Sequence, residues 1–268
     1  MSGRDLLGIF NLLLVAGVVA AVSYFALTLR PAEYDADTLC IAGIVPPHRV
    51  VIIDKTDLYS TQQAAAIERI ILTQRDTLAV GERLSLFELD ESGRLDDTNQ
   101  FSLCNPGSGD QVNPLYRNPD RIQARYEALF DAPLQQALAD LVIAKDAPQS
   151  PILEALAELT QQESMAQTVP GRRIVLVSDM LQNSDIFSVY GRSRGALPDR
   201  LPPVEETVQA IRDQYGFALG GVTMEIHLIE RPGWETEQTG PLRAYWTNVF
   251  RQLDVNVSWQ ILPADSYS

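Results

Sequence analysis

The chain has 268 residues, of which 46% are hydrophobic and 21% are charged, and its formal net charge is −14 at pH 7. Without residues 1–30, which contribute Arg4, Asp5 and Arg30, 19 basic and 34 acidic residues remain, a formal charge of −15. This length suits one sizeable α/β domain with a short additional segment. So acidic a surface repels phosphate backbones and anionic lipid headgroups, which excludes nucleic acid as an expected partner.

The N-terminal segment is strongly apolar, since residues 6–29 contain no charged side chain. About 20 apolar residues span a bilayer, so the run predicts one transmembrane helix, with residues 1–30 as an anchor and a short N-terminal tail. A cleaved signal peptide is the alternative. Its apolar core is usually 7–15 residues long, and no convincing small-x-small cleavage site precedes Arg30, so the uncleaved anchor is favoured.

The charges beside this segment indicate its orientation only weakly, because Arg4 and Arg30 flank it almost symmetrically. The short N-terminal tail favours a cytoplasmic N-terminus. We therefore expect a single-pass protein of the inner (cytoplasmic) membrane whose C-terminal domain is exported. Residues 31–47 are polar, contain prolines and read as a tether to a domain at 48–268.

The chain has two cysteines, Cys40 and Cys104. An exported domain tends to join such a pair, and we predict a disulfide; two unrelated thiols remain the alternative, since sequence does not reveal the distance between them. The two histidines, His48 and His227, lie on different predicted elements and lack metal-ligand spacing.

The remaining elements alternate between strand and helix. Strands are predicted at 49–54, 84–89, 100–103, 172–179, 222–229 and 255–262, and helices at 61–78, 121–130, 133–143, 204–215 and 242–253. Ser150 followed by Pro151 predicts the start of one more helix. The order predicts an α/β fold with a doubly wound, mostly parallel sheet and helices on both faces. Residues 104–120 read as a long loop at the rim of a crevice, and 180–201 as a surface insertion.

Two of the predicted strands end in a carboxylate. Residues 50–53 are four consecutive β-branched residues followed by Asp54, and the strand from Arg173 ends at Asp179. Ligands of open α/β sheets bind in the crevice outside the carboxyl ends of the strands. Two acidic strand ends are therefore expected to face one crevice.

The placement of these residues resembles a von Willebrand factor A (integrin I-like) domain with its metal-ion-dependent adhesion site. In the resemblance, Asp54 matches the first aspartate, Thr56 the first hydroxyl, Ser150 the hydroxyl that opens a later helix and Asp179 the final aspartate. The family holds one divalent cation there, usually magnesium, and a partner's carboxylate often fills the open position. The resemblance implies Mg²⁺ or Mn²⁺ bound by these four residues and covers roughly residues 48–262.

The chain departs from the family pattern at Leu58, which stands where a second hydroxyl is expected and cannot coordinate a cation. We therefore expect weak metal affinity. Asp57 or Ser60 substitutes only if the loop bends differently from the family's. The residues expected to contact a partner around the site are Asp57, Ser60, Asn105 and Asn113.

The function expected from these features is that of a membrane-anchored protein-binding module of the cell envelope, which docks an acidic side chain of another envelope or membrane protein. A metal-free scaffold subunit of a membrane complex is one alternative, in which Asp54 and Asp179 merely cap helices. A metal-dependent hydrolase using Asp54, Asp57 and Asp179 is another. The chain lacks a phosphate-binding loop, a Gly-x-Ser-x-Gly elbow and a zinc-protease helix, so we expect no enzymatic activity.

Overall fold

The computed structural model describes residues 3–28, 33–95, 99–111, 118–141, 147–191, 196–216 and 219–263. The chain divides into two compact units, Met1–Tyr34 and Asp35–Ser268. Residues 35–47, which were predicted to be part of a tether, therefore belong to the second unit.

The first unit contains one helix, α1, at Gly3–Thr28. Its segment Gly8–Phe25 has a mean hydropathy of 2.1, and the helix is long and apolar enough to cross a membrane. The prediction of an apolar N-terminal helix is therefore confirmed.

The second unit is built on one six-stranded sheet. Its strands are β1 His48–Asp54, β2 Arg83–Leu89, β3 Asn99–Cys104, β4 Arg173–Ser178, β5 Thr223–Ile229 and β6 Asn256–Leu262. The spatial order is β3-β2-β1-β4-β5-β6. All neighbours are parallel except β2 and β3, which are antiparallel. This order, with its reversal beside β1, confirms the predicted doubly wound sheet.

Helices cover both faces of the sheet. They are α2 Thr61–Asp76, α3 Pro119–Tyr126, α4 Ala132–Leu141, α5 Ile152–Leu159, α6 Leu197–Arg200, α7 Val204–Tyr215, α8 Glu235–Glu237 and α9 Arg243–Gln252. Single π-helical turns join α3 to α4 and α8 to α9. One core contains residues of α5, α7 and α9, and the other contains residues of α2 and α4.

Strand β1 is a central strand of the sheet, which lies between the two layers of helices. Every residue of β1 is buried. Val50 and Ile52 belong to the core beneath α5 and α9, whereas Val51 and Ile53 belong to the core beneath α2. A central parallel strand is apolar on both faces, which explains its unbroken β-branched run.

The segment after β4 is not the surface insertion that its polar composition predicted. Met180, Leu181 and Val189 are buried in the first core. The indole Nε1 of Trp246 donates to the carbonyl of Met180 at 3.0 Å. The apolar side chains of this segment are too widely spaced to show a period in sequence, yet they fill the space between β4 and α9.

Cys40 and Cys104 form the predicted disulfide, with their Cα atoms 4.9 Å apart. Because β3 runs antiparallel to β2, Cys104 lies beside Arg83, the first residue of β2. The loop that begins at Asn105 therefore starts at the amino ends of the parallel strands. The prediction that this part of the loop rims the crevice is wrong, since the crevice was predicted at the carboxyl ends of the parallel strands, at the opposite end of the sheet.

Candidate functional site

The two predicted acidic strand ends meet. Strands β1 and β4 are parallel neighbours in which Ile53 is paired with Val177, so Asp54 and Asp179 both follow the paired segment at the same edge of the sheet. Both side chains are buried. This edge is the carboxyl end of the parallel strands, where doubly wound sheets bind ligands.

The carboxylate of Asp54 is the centre of a small hydroxyl cluster. Its Oδ1 accepts hydrogen bonds from the Thr56 backbone N at 3.1 Å and from Thr56 Oγ1 at 2.6 Å. Its Oδ2 accepts from Ser178 Oγ at 2.7 Å and from Ser150 Oγ at 3.3 Å. Three of the four predicted ligands thus lie together, and Ser178 is an additional member that the sequence reading missed.

Ser150 reaches this cluster for a different reason from the one predicted. Helix α5 begins at Ile152 with Pro151 at its N-cap position, so Ser150 does not cap the helix. Instead Ser150 and Asn183 form a short antiparallel bridge, with N-to-O distances of 3.0 Å in both directions. That bridge presents the Ser150 hydroxyl to Asp54.

Asp179 is engaged by an arginine that the sequence reading missed. Arg231 Nε donates to Asp179 Oδ2 at 2.7 Å, and Arg231 Nη1 donates to the carbonyl of Leu58. Arg231 Nη2 lies 4.0 Å from Asp57 Oδ2. Arg231 follows the end of β5, another parallel strand whose tip reaches this edge. Its position after that strand was the available signal.

The fully buried Gln238 holds Arg231 in this position. Its Oε1 accepts from the Arg231 backbone N at 2.8 Å, and its Nε2 donates to the carbonyls of Asp179 and Ile229 at 2.8 and 2.9 Å. The ends of β4 and β5 are therefore joined through one amide side chain.

Burial raises the pKa of both carboxyls above the ordinary aspartate value. For Asp54, the hydrogen bonds from Thr56 and Ser178 oppose the rise in pKa. For Asp179, the negative charge of Asp54 adds to the rise in pKa and the charge of Arg231 opposes it. Two desolvated carboxylates this close favour a neighbouring cation.

The donor set suits a hard divalent cation. Asp54, Thr56, Ser150 and Asp179 offer carboxylate and hydroxyl oxygens, the ligands that Mg²⁺ prefers. The described residues contain no group of three or more His, Cys, Asp or Glu side chains able to hold a metal. Arg231 already places a positive charge on Asp179. A cation that binds Asp179 directly must therefore compete with this guanidinium.

The residues predicted to contact a partner have different positions. Asp57 lies near Arg231 at the carboxyl edge of the parallel strands, where the crevice was predicted. The Ser60 hydroxyl accepts from Gln63 N at 3.1 Å in a capping box at the start of α2, so its place in the fold is structural. Asn105 is buried at the other end of the sheet, where its Nδ2 donates to Leu78 O; its predicted contact at the crevice is wrong. Asn113 lies outside the described residues.

Three apolar or aromatic residues lie on one side of the acidic centre. Leu58, which replaces the expected hydroxyl, is 64% exposed. The Tyr190 ring meets the Trp234 ring edge-on at 5.4 Å. Burial, followed by the charges of Asp179 and Asp57, raises the pKa of Tyr190 to about 12. We call Leu58, Tyr190 and Trp234 the apolar rim.

Comparison with known proteins gives similarities among solved structures alone. No family model matches the chain, and no curated protein matches it. A protein described as von Willebrand factor type A from Catenulispora acidiphila is 16% identical, with a TM-score of 0.42; the alignment covers 82% of this chain and 39% of that one.

Two Bacteroides proteins are also similar. The BatB protein of Bacteroides thetaiotaomicron is 11% identical over 80% of this chain and 90% of that one, with a TM-score of 0.41. An aerotolerance-related membrane protein of Bacteroides fragilis NCTC 9343 is 10% identical over 67% and 66% of the two chains, with a TM-score of 0.31. Of these three proteins, the first is described as a von Willebrand factor type A protein.

Proposed function

We propose that this chain is a membrane-anchored protein-binding module of the cell envelope and that its docking site is the crevice between Asp54 and Asp179. The observation that carries the proposal is the pair of buried carboxylates on adjacent strand ends, beside an apolar rim in which Leu58 and Tyr190 are exposed. Protein-binding surfaces are enriched in aromatic residues and arginine, and here Tyr190 and Trp234 lie on the same side of the domain as Arg231. We propose that the module catalyses no reaction.

In the finer form of the proposal, a divalent cation contributes to docking. Asp54, Thr56, Ser150 and Asp179 would hold Mg²⁺ or Mn²⁺ weakly, because Leu58 provides no ligand and Arg231 competes for Asp179. The cation would attract a carboxylate of the partner. Leu58 and Tyr190 would add the apolar contacts that make the choice of partner specific.

A metal-free scaffold is the second candidate, and the contact between Arg231 and Asp179 favours it. A guanidinium is a permanent cation that satisfies a buried carboxylate without a metal. In this case the crevice is a rigid docking surface whose binding does not depend on magnesium.

The test is a pull-down of an envelope partner with the full-length chain in detergent, with Mg²⁺ and with chelator. The Thr56→Ala variant tests the cation centre, the Leu58→Ala variant tests the rim without adding a hydroxyl, and Glu68→Ala on the exposed face of α2 is the control. If the partner is recovered only with Mg²⁺ and only when Thr56 is present, the result supports cation-dependent docking. If the partner is recovered in chelator but is lost when Leu58 is replaced, the result supports the metal-free scaffold.

Phosphatase and nuclease assays of the same preparation address the enzymatic alternative. Metal-dependent turnover that disappears in Asp54→Ala would overturn the proposal in both forms. Membrane topology is tested separately, by adding protease to cells whose outer barrier has been opened. We expect digestion beyond Arg30, and complete protection of the domain would contradict its placement outside the inner membrane.

A further inference from the structure

Strand β6 is an edge strand with an unused hydrogen-bonding side. Asn256 N donates to Val222 O at 3.0 Å, and Leu262 O accepts from Glu230 N at 2.9 Å, so the even-numbered residues of β6 bond towards β5. Hydrogen-bonding direction alternates along a parallel strand. The backbone N–H and C=O groups of Val257, Trp259 and Ile261 therefore point away from the sheet, and they have no hydrogen-bond partner among the described residues.

Over its described residues, this edge lacks the usual protection against pairing. Charged residues, prolines and bulges normally block exposed edges. Asn256–Leu262 contains no charged residue and no proline, and its seven residues pair with β5 in unbroken register. The opposite edge is different: Cys104 N donates to Thr38 O at 2.8 Å, and the pairing of β3 with β2 shifts register between Leu86 and Phe87.

The sequence of β6 is complementary to itself when the strand is reversed. An antiparallel copy centred on Trp259 places Val257 opposite Ile261 and Ser258 opposite Gln260. Val257, Trp259 and Ile261 share one face because side chains alternate along a strand. Apolar groups would therefore meet apolar groups on that face, while on the other face Ser258 would meet Gln260 and Asn256 would meet Leu262 at the two ends of the pairing.

Charge also favours a second copy at this position. Two domains that each carry many more acidic than basic residues repel one another over most of their surfaces. An uncharged strand allows close backbone contact without placing carboxylates opposite each other. Trp259 is already held in place, with its Nε1 3.2 Å from Thr247 Oγ1 and the Arg243 guanidinium 5.7 Å from its ring.

We propose that β6 pairs antiparallel with β6 of a second copy of this chain, extending the two sheets into one across a two-fold axis through Trp259. The surface is separate from the crevice described above. This proposal therefore does not depend on cation or partner binding there.

The first test is cross-linking of the full-length chain in detergent. Directly opposed residues in an antiparallel hydrogen-bonded pair have Cα atoms about 5.5 Å apart, within disulfide range. The Trp259→Cys variant should form a disulfide-linked dimer under mild oxidation, whereas Glu68→Cys on α2 should not. Equal cross-linking of the two variants, or none in Trp259→Cys, would overturn the proposal.

The second test measures the oligomeric state without a cross-link. The wild-type chain should have twice its 29.7 kDa mass by light scattering after correction for detergent. Ile261→Lys places a charge on the edge and should weaken dimerisation at least tenfold. Leu129→Lys is the matched control, because Leu129 and Ile261 are both 43% exposed.

Circular dichroism establishes that both lysine variants keep the fold. A wild-type chain that remains monomeric at tens of micromolar would show that the edge does not bind a second copy. A dimer unaffected by Ile261→Lys would equally exclude β6 as the interface.

Discussion

Arg231 Nε lies 2.7 Å from Asp179 Oδ2, and the pair joins the ends of β5 and β4 at the carboxyl edge of the sheet. The Asp179 side chain is 1% exposed and the Arg231 side chain 14%. Arg231 therefore places a positive charge directly on one of the proposed metal ligands.

The first prediction concerns Arg231→Gln. Removing the guanidinium leaves Asp179 buried without its charged partner. We expect the free energy of unfolding to fall by about 2–4 kcal/mol. This loss is smaller than that for breaking a fully buried ion pair, because Arg231 is partly exposed. Millimolar Mg²⁺ should raise the melting temperature of this variant more than that of the wild type, since the competing charge is gone.

Thermal unfolding with Mg²⁺ and with chelator measures both effects. Arg251→Gln, at an exposed position of α9, is the control and should change neither. If Mg²⁺ has the same effect on Arg231→Gln and on the wild type, then the guanidinium and the metal do not compete.

The second prediction concerns Ser178→Ala. The Ser178 hydroxyl donates to Asp54 Oδ2 and accepts from Met180 N at 2.9 Å, so the variant loses two buried hydrogen bonds. We expect a loss of about 1–3 kcal/mol in urea unfolding. Ser92→Ala, in an exposed turn, should change stability by much less. Equal losses in the two variants would argue that the hydroxyl cluster around Asp54 contributes nothing special to stability.

The third prediction concerns the disulfide. Cys40 and Cys104 are separated by 64 residues in sequence, so their bond restricts a long loop of the unfolded chain. The Cys40→Ser, Cys104→Ser double variant should be less stable by about 2–4 kcal/mol. Denaturant unfolding under non-reducing conditions measures the difference. Adding reductant should bring the wild type to the stability of the variant, and a persistent gap would point to packing by the sulfur atoms instead.

The fourth prediction is a pH dependence that arises at His48. Its ring nitrogens lie 2.8 Å from Ser164 O and 2.8 Å from Ser85 Oγ, and burial lowers its pKa from 6.5 to about 4. Above pH 6.5 the ring is neutral in both the folded and the unfolded state. Between pH 6.5 and about 4 the unfolded chain binds a proton that the folded chain does not, so stability falls as pH falls.

The loss attributable to His48 should total about 3 kcal/mol by pH 4 and then stop growing. It is measured as the difference between the wild type and His48→Gln, because Asp54 and Asp179 have raised pKa values and contribute in the opposite direction. We expect the gap in unfolding free energy between the two proteins to change from pH 7 to pH 4. A constant gap would contradict the proposed proton linkage.

Local sequence predicted most of the sheet. Four consecutive β-branched residues in β1 and a similar run in β4 are typical of strands with both faces buried. The same runs placed Asp54 and Asp179 at the carboxyl ends of adjacent strands. Local sequence predicted the structure less well where packing between distant segments decides the position of a segment. Residues 180–201 looked like a surface insertion because their few apolar side chains show no period, but Met180 and Val189 fill the core beneath α9.

The sequence by itself determined the apolar N-terminal helix, the doubly wound order of elements, the carboxylates at the strand ends and the cysteine pair, because each depends on a local pattern or on composition. Only the tertiary structure decided that Arg231 reaches Asp179 and that Ser150 turns its hydroxyl to Asp54. It also decided that Asn105 lies at the far end of the sheet. These positions depend on the antiparallel direction of β3 and on contacts between residues more than 50 positions apart, which no local pattern encodes.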